Sequence, residues 1–163
     1  MTNAAGNPPS DSAYVAHLWD FPQLTIALFG LQFHSPEAYQ MYEQAGIPTQ
    51  IRADVATTEG MLCMREFPEG NGGVLMQYWR SHEDLASYAK RMPHMSWWKW
   101  LMDNDGKGLS FYHEIYQCKS AEAIFERGTA AVGPGAFCET SPTELGGNRS
   151  VERQRRFDEA ARA

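Results

Sequence analysis

Residues Leu24–Phe33, LTIALFGLQF, are apolar on both faces of an extended chain, because successive side chains of a strand point to opposite sides. Such a run predicts a strand in the centre of its sheet. A helix start follows, with Ser35 as N-cap, Pro36 at the first helical position and Glu37 in the first turn. Ala38–Ala45 continues that helix and Gly46 ends it. A second short helix is expected after Pro48, running to about Thr58. Met61–Phe67 and Val74–Trp79 read as two strands of a hairpin around a Gly-rich turn. Ser81-His82-Glu83-Asp84 resembles a capping box, and Leu85, Tyr88, Ala89 and Met92 then share one helical face. Pro93 interrupts, His94–Met102 resumes helically, and Leu109–Gln117 is the last strand.

The order β-α-β-β-α-β is that of a ferredoxin-like α+β domain. Helices on one side leave the other sheet face bare, which predicts that a second copy covers it. The expectation is a homodimer whose two bare faces enclose a cavity.

Three regions differ in composition. Residues 1–20 read as a flexible leader, 21–138 as the folded domain, and 139–163 as a tail, disordered or a loosely docked helix. The middle region holds 17 of the 20 aromatic residues, whereas the tail has five acids, five arginines and a single aromatic, Phe157. So thin an apolar content predicts that the tail contributes little to stability. The formal net charge is −6, which supplies no basic field for nucleic acid or an anionic membrane. No apolar stretch approaches the ~18 residues of a membrane helix. The N-terminus lacks the basic head and apolar run of a secretory signal. Cys63, Cys118 and Cys138 are far apart, odd in number and without metal spacing, as expected of free thiols in the cytoplasm.

The stretches VLMQYWRSHEDLASYAK (74–90), PHMSWWKWL (93–101), FYHEIYQC (111–118) and AEAIFERG (121–128) carry a recognisable pattern. They resemble a group labelled "monooxygenase family protein", whose members share a strand ending QYWRS, an EDL…YA helix, a His opening the next helical stretch, and a final strand carrying HETY. Ile115 stands here in place of the Thr. The resemblance covers roughly residues 24–137 and is strongest from 74 to 126. More broadly the pattern is similar to the dimeric α+β barrel superfamily, with its antibiotic-biosynthesis and heme-degrading monooxygenases, chlorite dismutases and aldoxime dehydratases. The resemblance implies an oxidoreductase of secondary metabolism that works on a small apolar or aromatic molecule in an intra-barrel cavity. Its alternatives are a heme-dependent dehydratase of the aldoxime dehydratase type, and a non-catalytic barrel that binds heme or another hydrophobic ligand.

In heme-degrading members a Trp ends the third strand, and a His on the second helix is the axial iron ligand; Trp79 and His94 hold comparable positions. By that resemblance His94 is the candidate axial ligand of heme b, or else a general acid/base with no cofactor. His113 and Glu114 are adjacent on a strand, so one of them faces the cavity. His113 is the preferred catalytic base, and Glu114, with a raised pKa, the alternative. On the third strand Leu75, Gln77 and Trp79 share a face that suits a flat ligand, with Trp79 as wall and Gln77 as polar anchor. Phe29 and Trp98 complete the expected substrate-binding set. Trp97, Trp98 and Trp100 cannot share one helix face, so at least one meets an interface or the cavity. His17 and His82 read as surface residues, His34 as a turn histidine, and Gly128–Gly135 as a flap or a simple chain exit.

Overall fold

The computed structural model describes residues 12–163. The chain divides into two compact units. One is Thr25–Tyr116, and the other joins the described residues up to Leu24 with Gln117–Ala163.

The first unit is built on strands β2 (Thr25–Phe33), β3 (Met61–Glu69), β4 (Gly72–Trp79) and β5 (Leu109–Gln117), ordered β3-β4-β2-β5. The doubly apolar β2 is central, as its sequence requires. Helices α1 (Pro36–Gln44) and α2 (Ile47–Val55) link β2 to β3, and α3 (His82–Ala89) and α4 (His94–Asp103) link β4 to β5. This is the ferredoxin-like α+β arrangement. The cap residues act as their types suggest: Ser35 Oγ accepts from the Ala38 amide at 3.2 Å, and Ser81 Oγ from the Asp84 amide at 3.1 Å. Gly46 has φ +68°, a left-handed conformation that lets α1 end and α2 begin at once. In β4, a Cβ on Gly72 would lie 1.8 Å from the Leu31 carbonyl oxygen, so only glycine admits the close approach of β2.

Alternation along the strands assigns the faces. Ala27, Leu31, Trp79 and Leu109 pack with Tyr42, Ile51, Leu85, Tyr88, Trp97 and Leu101 of the helices into one core. At ~25 cal/mol per Å² of apolar surface removed from water, this core is the unit's main stabilising element.

The second unit contains β1 (Tyr14–Ala16), β6 (Ile124–Phe125) and β7 (Thr140–Pro142), with β1 antiparallel to both neighbours. It also holds the 3₁₀ turn Leu18–Asp20 and the helices α5 (Pro134–Phe137), α6 (Thr143–Gly146) and α7 (Ser150–Ala160). Tyr14–Ala16, which composition places in the leader, is therefore a buried strand. Residues 1–11 of that expected leader lie outside the described residues. The tail contains a docked helix. Phe157 is fully buried, and the Arg153 guanidinium, also buried, bonds to Glu122 at 2.7 Å and to the Gly147 carbonyl at 2.9 Å. One aromatic and one satisfied cation thus anchor a helix that looks too polar to dock. In the Gly128–Gly135 stretch, Gly133 and Gly135 are buried at the start of α5, where a free flap would leave them exposed. His17 is half-buried and bonds Ser141 Oγ at 2.8 Å.

Candidate functional site

Between the sheet and its helices lies a cavity of about 440 Å³, within the size range of small-molecule sites. It lies on the helix-covered side within one chain.

The floor comes from three strands. Antiparallel pairing sets Phe29 of β2 opposite Leu75 of β4, and Ala27 opposite Gln77. His113 of β5 packs its ring 6.4 Å from Phe29 and 6.5 Å from Trp98, centroid to centroid. The roof is helical, with Leu85, Tyr88, His94, Trp97 and Trp98 over the strands and Ile47 and Ile51 of α2 alongside. Trp97 donates Nε1–H to Gln50 Oε1 at 2.9 Å, which ties α4 to α2.

His94 opens α4, and its ring lies 4.9 Å from that of Tyr88. Its Nδ1 is 3.1 Å from the Ala89 carbonyl oxygen. A carbonyl only accepts, so Nδ1 carries the proton and Nε2 the lone pair. Burial pushes the His94 pKa below its ordinary 6.5, and the charge of His113 lowers it further; the Ala89 bond works the other way. Desolvation by its neighbours also lowers His113, although the residue as a whole is exposed. Both imidazoles are therefore neutral at pH 7. Tyr88, whose phenol pKa burial raises, stays protonated and bonds to Asp54.

The structure brings together His94, His113, Gln77, Leu75, Phe29 and Trp98 on one cavity. Two expected members stand elsewhere. Trp79 is fully buried in the core, lines no part of the cavity, and donates Nε1–H to Gln77 Oε1 at 3.1 Å. It acts on the site through Gln77 and does not form a wall. Glu114 points to the opposite sheet face and accepts from the Tyr116 hydroxyl at 2.7 Å, so it is not the cavity base. A period of two forces this outcome once His113 faces the helices. His82, read as a surface residue, reaches the cavity rim, while His34 bonds Ser110 Oγ at 2.9 Å away from it. Tyr42, Ile51 and Leu85 also line the site; only their place in apolar helix faces marks them in the sequence. Among the described residues, no group of three or more His, Cys, Asp or Glu could hold a metal ion, and no helix is long and apolar enough to cross a membrane.

Residues 25–131 match the family described as Monooxygenase af470-like. The chain belongs to this family. Among solved structures, the af470-like chain resembles the aldoxime dehydratase OxdRE in complex with butyraldoxime: TM-score 0.61, 18% identity, 99% of this chain and 47% of that one. It spans less than half the length of that enzyme. A mutant form of SnoaB, a cofactor-independent oxygenase from Streptomyces nogalater, matches with a TM-score of 0.47 at 13% identity, over 61% of this chain and 96% of that one. At 18% identity the likeness to the aldoxime dehydratase speaks for the fold alone. No curated protein matches the af470-like sequence.

Proposed function

We propose that this chain is a small-molecule oxygenase that acts on an apolar or aromatic substrate in the sheet–helix cavity. One observation carries the reading: half-buried His94 and the more exposed His113, both with pKa values lowered by desolvation, line a single largely apolar cavity.

A neutral imidazole can accept a proton from a substrate whose C–H is acidified by a neighbouring phenolic or enolic oxygen. His113, on the rigid strand β5, is the base. Gln77 has its carbonyl oxygen engaged by Trp79, so its amide N–H₂ is left to donate to the developing enolate oxygen. The carbanion passes one electron to O₂, and recombination forms a C–O–O⁻ group. This group takes the proton back from the His113 imidazolium and loses water. A CH₂ and O₂ become C=O and H₂O, with no further reductant. Phe29, Phe111 and Trp98 shield the carbanion from water.

A second reading adds heme b, whose iron His94 would hold. His94 is neutral, its Nδ1–H is fixed by a backbone carbonyl, and its Nε2 lone pair is available, as iron ligation requires. When bound, the group would supply O₂ activation, or bind a substrate N–O group for dehydration. His113 would then hold or deliver the substrate proton.

Oxygen uptake on a panel of phenols and enolisable ketones, with absorption spectra before and after added hemin, tests both readings. Uptake without hemin that His113→Ala abolishes supports the cofactor-free reaction. A Soret band that His94→Ala removes supports heme. Ligand binding with no uptake in either state would leave a non-catalytic barrel.

We propose a homodimer through the helix-free sheet face, which carries Leu28, Met76 and Tyr116, the last about half exposed at 53%. Light scattering at micromolar concentration tests it; a monodisperse monomer would contradict it.

A further inference from the structure

A second cavity of about 400 Å³ lies under α1 and α2, at the end of the sheet where the β3–β4 hairpin turns. The two cavities share five lining residues: Phe29, Leu31 and Leu75 of the floor, and Tyr42 and Ile51 of the roof. We infer that the two cavities form one elongated binding channel, whose waist is this five-residue ring and whose substrate is a long molecule with a flat reacting head and an apolar extension. The inference rests on the oxygenase reading only for the word substrate; the channel itself rests on the shared walls.

The chemistry changes along the channel. At one end stand the neutral imidazoles of His94 and His113 and the Gln77 amide. The waist is apolar except for the Tyr42 hydroxyl. Burial pushes that phenol up to about 12, so it carries no charge at pH 7. A segment that threads the waist must therefore be apolar, since a polar group there would be desolvated with a single partner. At the far end Arg52 of α2 is held to Glu66 of β3 by two bonds of 2.8 Å, which close the wall between helix and sheet. Each cavity alone lies in the lower part of the range for small-molecule sites. Together they approach the upper part of the range for small-molecule sites.

Binding of 4-n-alkylphenols, from methyl to octyl, measured by quenching of tryptophan fluorescence and checked by calorimetry, tests the channel without turnover. The phenol seats at the imidazole end, and each added methylene that enters an apolar passage tightens binding about three- to fourfold. Affinity is expected to climb through octyl. Ile51→Trp, which fills the waist, should weaken 4-octylphenol at least tenfold more than 4-methylphenol. Leu75→Phe should do the same from the floor, so the test survives if one variant fails to fold. A wild-type affinity that stops rising by propyl, or equal losses for short and long probes in both variants, would overturn the channel. Rising affinity without oxygen uptake would keep the channel and reject the oxygenase. Uptake confined to short phenols would do the reverse.

Discussion

Trp79 and Gln77, two residues apart on β4, are joined by a 3.1 Å hydrogen bond from the indole N–H to the amide oxygen. The relation separates two roles that share one strand face. Trp79 fills the core against Tyr88, with ring centroids 5.0 Å apart, while its polar edge sets how Gln77 meets the cavity. Trp79→Phe keeps most of the packing and removes the donor. The expected loss of stability is ~1 kcal/mol, the net worth of one hydrogen bond. Because Gln77 loses its orientation, kcat should fall more than KM rises; a change in KM alone would show that Gln77 merely binds.

The titration of the site has a definite sign. His94 and His113 bind protons less readily in the folded chain than in the unfolded one, where both lie near 6.5. Between those two values the unfolded state holds more protons, so stability rises with pH and falls as pH drops below about 6.5. Denaturant unfolding of wild type and His94→Gln between pH 7.5 and 5.5 checks this. The variant should show the shallower loss on acidification. The oxygenase rate should decline over the same acid range as the base is protonated.

The tail supports its unit through two residues. Phe157→Ala should cost ~3–5 kcal/mol, as for other large buried side chains. Glu122→Ala should cost ~3 kcal/mol, because it leaves the buried Arg153 guanidinium without its carboxylate. Urea unfolding of both variants measures this. Losses under ~1 kcal/mol would restore the reading of the tail as dispensable.

The central sheet was legible because its signals are local. The doubly apolar β2, the Ser-Pro-Glu start of α1 and the Ser81 cap each carry their own physics, and the observed β5 has the bounds its pattern predicts. The inward turn of His113 was a coin with two sides, since period two forbids Glu114 from joining it but does not say which goes in. Trp79 misled because a strand tryptophan reads the same whether its ring meets a ligand or a core. Composition does not show the cavity on the helix side of the sheet, because its walls come from residues far apart in the chain, such as Phe29, Leu75 and His94. Of the two readings of the tail, the docked helix is anchored by Phe157 and Arg153, both buried, and the Glu122 partner of Arg153 lies outside any local window.

The central claim is that His94 and His113 are neutral imidazoles facing one cavity that takes an apolar ligand. Carbon-13 NMR of ring-labelled histidine, titrated from pH 8 to 5 with and without 4-octylphenol, tests it directly, with His94→Ala and His113→Ala assigning the two signals. The account predicts that both rings titrate below 6.5 and that the phenol shifts both. Titration of either ring at or above that value, or signals that ignore the ligand while it binds, would contradict it.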